Sequence, residues 1–193
     1  MEQTGRLLNI YLYGSHVYGT NDDKSDVDYI FIVDHQKEKE SQTFAGRFNI
    51  TSYPVNYFQE LINGHHVSAL ECFFLPDKPK IELHNFQFSL DKTKLRESFS
   101  AKASNSWIKA KKKIDLHQEY RVGMKSLFHS LRILNFGIQI AHAGTIVRYD
   151  TANRYWNKIV EQNFKKWQPY KDYWQSEYNE LKSKFRIVCP MEE

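Results

Sequence analysis

The chain has 193 residues, of which 41% are hydrophobic, 15% aromatic and 26% charged; this excludes a disordered or fibrous protein and fits one domain or two small lobes with a real core. No run of about 18 apolar residues could span a bilayer, and MEQTGRLLN lacks the profile of a secretory leader, so a soluble, cytoplasmic protein is expected. The formal charge of +4, with basic residues concentrated after position 92, is compatible with phosphate-bearing partners but on its own describes a solvated helix face. Cys72 and Cys189 lie far apart without metal-ligand spacing and read as reduced thiols.

In chain order, LLNIYLY (7–13), DVDYIFIV (26–33) and RFNITSY (47–53) are rich in Val, Ile, Tyr and Phe and read as strands. GSHVYGTNDDKS is the turn between the first two, and HQKEKESQTFAG reads as a polar loop before the third. VNYFQELING is an amphipathic helix stopped by Gly64, and HVSALECFFLP a second short helix ending before Pro76. PDKPKIELHNFQFSLD is an irregular connector with room for a short strand. Helices are then expected over SNSWIKAKKKIDLHQEY, RVGMKSLFHSLRILNFGIQIAHAG, DTANRYWNKIVEQNF and YKDYWQSEYNELKSKF. In the second of these Leu127, Leu131, Leu134 and Ile138 form the core stripe. The expected class is α+β: a small mixed-sheet lobe over residues 1–90, then a helical lobe over 91–193.

Asp26 and Asp28 are two residues apart in a strand-like run, so they share a face while Val27 and Tyr29 face the other way. Two carboxylates this close call for a counter-charge, and a divalent cation supplies one: Mg²⁺ binds carboxylate and phosphate oxygens. Upstream, Gly14 lets backbone N–H groups approach a phosphate closely and Ser15 adds a hydroxyl donor; a helix opening at His16 would add a partial positive charge. The bland reading is a Gly-Ser turn and two surface aspartates, because neither GS nor DxD is specific alone.

The joint pattern is specific. G-S-x-x-x-G-T followed by S-D-x-D at the head of an apolar strand resembles the signature of the DNA polymerase β-like nucleotidyltransferase superfamily, matched here by Gly14, Ser15, Gly19, Thr20, Ser25, Asp26 and Asp28. The resemblance implies a transferase that binds a nucleoside triphosphate such as ATP with Mg²⁺ or Mn²⁺ and moves a nucleoside monophosphate to a hydroxyl. Gly14, Ser15 and Ser25 would contact the nucleotide, and Asp26 and Asp28 would hold metal. RNA, a protein side chain and a small molecule all remain open as acceptor.

One departure stands out. The superfamily usually carries a third acidic residue on a neighbouring strand, and the corresponding position in RFNITSY is Asn49, an amide that can lend an oxygen but is no useful base near neutral pH. Glu71 and Asp34 are the substitutes that sequence offers; the alternative is a nucleotide-binding or regulatory module with degraded catalysis.

A second constellation follows on the longest helix. At about 100° per residue, Lys125, His129 and Arg132 fall within an arc of roughly 60° beside the leucine stripe, the combination of point charge and fork that a triphosphate takes. The structural alternative is an interior histidine with two paired cations. GMKSLFHSLRIL also resembles the K-x-x-x-H-x-x-R helix of a phage and bacterial group of predicted nucleotidyltransferases, in which ELINGHHVSALECFFLP has a counterpart, and the resemblance assigns the three residues to the nucleotide. Trp107 with Lys109, Lys111, Lys112 and Lys113 offers a weaker nucleic-acid reading, the tryptophan being more often core.

Overall fold

A computed structural model describes residues 5–78 and 80–190. The chain divides into two compact units, Met1–Ser89 and Leu90–Glu193.

The first unit is built on a mixed five-stranded sheet in the order β3-β4-β2-β1-β5, comprising β1 (Leu7–Tyr13), β2 (Val27–Val33), β3 (Ser41–Ala45), β4 (Phe48–Pro54) and β5 (Lys80–Glu82). β2 runs antiparallel to β1 and parallel to β4, while β3 and β5 close the two edges antiparallel to their neighbours. Three helices belong to this unit: α1 (Ser15–Tyr18), α2 (Val55–Asn63) and α3 (Val67–Phe73).

Alternation explains which face is covered. Tyr11, Ile30 and Tyr53 are buried and, with Ile32, belong to one face by strand parity and register; Phe58 of α2 stacks on Tyr11 with ring centroids 5.9 Å apart. The fully buried Asn9 ties β5 down: its amide donates to Tyr11 Oη (2.8 Å) and the His84 carbonyl (2.9 Å), and its carbonyl accepts from the backbone N–H of Leu83 and His84.

Two details differ from the sequence reading. The polar stretch before β4 contains the edge strand β3, whose Ser-Gln-Thr-Phe-Ala composition carries no apolar alternation because four of its five residues are exposed. Polar composition is how an edge strand avoids pairing with other chains, and it hides the strand from a hydrophobicity pattern. Asp26 lies one residue before β2 rather than within it.

The second unit is all helical: α4 (Lys92–Asp115), α5 (Tyr120–Ala143), α6 (Asn153–Gln162) and α7 (Trp167–Val188). α4 begins well upstream of the segment that its sequence pattern suggests, at an Asp91 cap whose carboxylate accepts from the Lys94 backbone N–H at 3.0 Å. Leu127, Leu131 and Leu134 are fully buried, and Ile138 is half-buried. At Gly137 an added Cβ would stand 2.7 Å from the Phe185 ring of α7, so a hydrogen there is what lets α5 and α7 approach. Trp107 stacks on Tyr178 at 4.3 Å and meets Trp167 edge-on at 5.0 Å, which makes these aromatics packing residues.

Candidate active site

The carboxylates occupy the end of the covered sheet face. Burial falls along that face of β2 from Ile32 (0% exposed) and Ile30 (3%) to a half-buried Asp28 and an exposed Asp26. Register brings two residues beside Asp28: Tyr13 at the end of β1, and Asn49 on β4. Asn49 Nδ2 donates to Asp28 Oδ1 at 3.1 Å, so the neighbouring-strand position that sequence reading singled out does face the aspartate, and it offers an amide.

Gly14 follows Tyr13 directly. Its backbone (φ 76°, ψ −148°) lies in a region essentially reserved for glycine, and a Cβ there would stand 2.5 Å from Asp28 Oδ2. The turn therefore packs its main chain against the carboxylate. α1 is a single turn ending at Gly19 in the left-handed conformation, with Val17 and Tyr18 N–H both on the Gly14 carbonyl. So short a helix carries little macrodipole, and the electrostatic contribution expected from a helix opening at His16 is correspondingly small.

Tyr18, which the sequence reading passed over, anchors this turn. It is 2% exposed and its hydroxyl donates to Glu71 at 2.5 Å. The available signal was an aromatic residue inside an otherwise Gly- and hydroxyl-rich loop. Glu71 is accordingly a buried structural acceptor on α3 rather than a stand-in for the third carboxylate. Asp34 is no substitute either: it lies six residues from Asp28, about 20 Å along the strand, and its Oδ1 accepts from the backbone N–H groups of Arg6 and His35. Ser25 is buried and its hydroxyl shapes the loop, accepting from Asp22 N–H and donating to Asp22 Oδ1, both at 2.9 Å.

The chemistry of the donor set fits a divalent cation. Among the described residues neither Asp26 nor Asp28 takes part in an ion pair, so no basic side chain neutralises them. Asn49 retains its carbonyl oxygen for a ligand. Beside Ser15, the Nε2 of His16 is buried with no hydrogen-bond partner among the described residues, a polar atom that a bound phosphate or water would satisfy. The described residues hold no group of three or more His, Cys, Asp or Glu placed around a metal; two carboxylates and an amide are what this chain presents.

The second constellation belongs to the helical unit. His129 lies against the Phe128 ring and Arg132, whose Nε donates to His129 Nδ1 at 3.3 Å while its guanidinium sits 5.0 Å over the Phe136 ring. Arg132 is only 3% exposed, and Lys125 is half-buried. Burial first, then the Arg132 and Lys125 charges, hold the His129 pKa well below 6.5, so the ring is neutral at physiological pH and can accept from Arg132.

Comparison with curated proteins returned no match. Among the described residues no helix is long and apolar enough to cross a membrane. Residues 2–95 match the family model of the nucleotidyltransferase domain, the stretch that carries the Gly14-Ser15 turn, Asp26, Asp28 and Asn49, which is consistent with the polymerase β-like nucleotidyltransferase superfamily.

Proposed function

We propose that the chain is a Mg²⁺- or Mn²⁺-dependent nucleotidyltransferase, with residues 1–90 as its nucleotidyltransferase lobe and 91–193 as a helical lobe. It transfers a nucleoside monophosphate from a triphosphate to a hydroxyl. The observation that carries this reading is the apposition of the Gly14 backbone to an Asp28 carboxylate that has no cationic partner among the described residues. A loop main chain of this kind suits phosphate oxygens, and unpaired carboxylates suit the cation that accompanies them.

In the reaction the acceptor oxygen forms a bond to the α-phosphorus, the bond from that phosphorus to the pyrophosphate oxygen breaks, and the hydroxyl proton passes to solvent. When bound, the divalent ions would supply Lewis-acid stabilisation of the attacking and leaving oxygens. Asp26 and Asp28 would hold them, Gly14 N–H and the Ser15 hydroxyl would orient the terminal phosphates, and Ser25 keeps the Asp22–Asp26 loop in shape. Asn49 contributes an oxygen and orients Asp28 but takes no proton. Within the helical unit, the neutral His129 ring positions the Arg132 guanidinium, the pair that with Lys125 the resemblance assigns to the nucleotide.

A second reading is favoured by the Asn49–Asp28 hydrogen bond, in which an amide stands where the superfamily keeps a base: a module that binds nucleotide without transferring it. One experiment separates them. With Mg²⁺ or Mn²⁺ and each labelled triphosphate, the enzyme releases pyrophosphate and labels its acceptor, and Asp26→Ala and Asp28→Ala abolish both. Binding without release identifies the module, and full turnover by both alanine variants overturns the site.

A further inference from the structure

The helical unit contains a cleft of about 790 Å³, lined by its own residues alone. Its walls come from the second half of α4 with the turn after it, the first residue of α5, the connector between α6 and α7, and the start of α7. Four lysines and one aspartate line it, namely Lys111, Lys165, Lys166, Lys171 and Asp115. Among the described residues none of the four lysines is in an ion pair. Lys165 instead sits 4.9 Å over the Tyr120 ring and donates to Asn163 Oδ1 at 2.7 Å. Asp115 is tied to the main chain, its Oδ1 accepting from Trp167 N–H at 2.8 Å. The cleft therefore carries an excess of uncompensated positive charge, and its volume falls in the range of ligand sites.

The form of that charge says what would fill it. A site for one terminal phosphate concentrates donors, through an arginine fork or a run of free backbone N–H groups. Here the lining has no arginine, Trp167 N–H is already taken, and Pro169, next in sequence after the lining residue Gln168, has no N–H to continue a run of donors. What remains are separate ammonium groups on three chain segments, each a flexible point charge. Such a distribution matches a series of spaced phosphates. The ring faces offer little for bases to stack on: Trp107 is covered by Tyr178 and Trp167, and Tyr120 is capped by Lys165. Recognition would then be of backbone and indifferent to sequence.

We propose that this cleft binds the phosphodiester backbone of a single-stranded nucleic acid. The inference concerns binding by the helical unit alone and stands whether or not the first unit transfers nucleotide.

The test is fluorescence anisotropy of a labelled ten-nucleotide RNA with the full chain in EDTA and without triphosphate, so that catalysis plays no part. Three to four neutralised phosphates give a log–log salt slope of about −2 to −3, a loss of about 20- to 50-fold between 50 and 200 mM salt. Lys111→Ala and Lys166→Ala, both at exposed positions, should each flatten the slope by about 0.7. Lys94→Ala, about 25 Å away along α4, should leave it unchanged. The proposal is overturned by absence of binding at 50 mM salt, by an equal effect of Lys94→Ala, or by calorimetry in which inorganic tripolyphosphate, and not the RNA, loses its binding in the Lys111 and Lys166 variants.

Discussion

Asn49→Asp is the most informative change, because it restores the superfamily's third carboxylate against Asp28. In the native chain Asn49 Nδ2 donates to Asp28 Oδ1 at 3.1 Å. A second carboxylate there replaces a favourable contact by like charges about 4 Å apart, which at an effective dielectric of about 20 costs about 4 kcal/mol. The pair can instead share a proton; holding one at pH 7 on a group of ordinary pKa about 3.9 costs about 4 kcal/mol as well, so the two routes give the same ceiling. Asp28 is half-buried, and solvent screening lowers the expected loss to about 2 kcal/mol. For a domain of 60–100 residues that is a fall in Tm of about 8–16 °C.

The sign with pH follows from linkage. The like-charge repulsion exists only when both carboxylates are ionised, so the variant matches the native protein at low pH and falls behind as pH rises. Millimolar Mg²⁺, by binding between the carboxylates, should close the deficit at pH 7.5, and pyrophosphate release should be equal to or above native. Thermal denaturation in EDTA and in Mg²⁺, at pH 4.5 and 7.5, reads all of this. A variant as stable as native in EDTA at pH 7.5, or a deficit that neither acid nor Mg²⁺ relieves, refutes the placement of Asn49 beside a metal-binding carboxylate.

Gly14→Ala should lose about 1–3 kcal/mol in urea denaturation, because its backbone conformation and the 2.5 Å approach to Asp28 both exclude a Cβ, and its pyrophosphate release should be near background; native-like turnover would refute the apposition of loop and carboxylate. His129→Gln keeps an acceptor for Arg132 but removes a titrating group whose folded pKa is depressed. The native protein should therefore lose stability as pH falls below 6.5, where the unfolded chain takes up the proton first, and the variant's Tm should vary less between pH 7 and 5. Equal slopes would show that His129 is not buried as a neutral ring.

Local patterns were legible in the sequence because their causes act over a few residues. Runs rich in Val, Ile, Tyr and Phe marked β1, β2 and β4, the Leu127/Leu131/Leu134 stripe marked the core face of α5, and the spacing of Gly14, Ser15, Asp26 and Asp28 pointed to phosphate and metal chemistry before any fold was known. Asn49 was found only through the resemblance, since nothing in RFNITSY itself marks it.

What the tertiary structure decided was long-range. Pairing of β2 with β4 set Asn49 beside Asp28 across 21 residues of chain. Packing of α3 removed Glu71 from contention by burying it against Tyr18, and strand length put Asp34 at the far end of β2. The lysine-lined cleft gathers residues 111 and 165–171, from segments too far apart in sequence for any local pattern to join. Composition and spacing determine what a segment can become, whereas register and burial, which depend on the whole hydrophobic face being covered at once, decide which side chains meet.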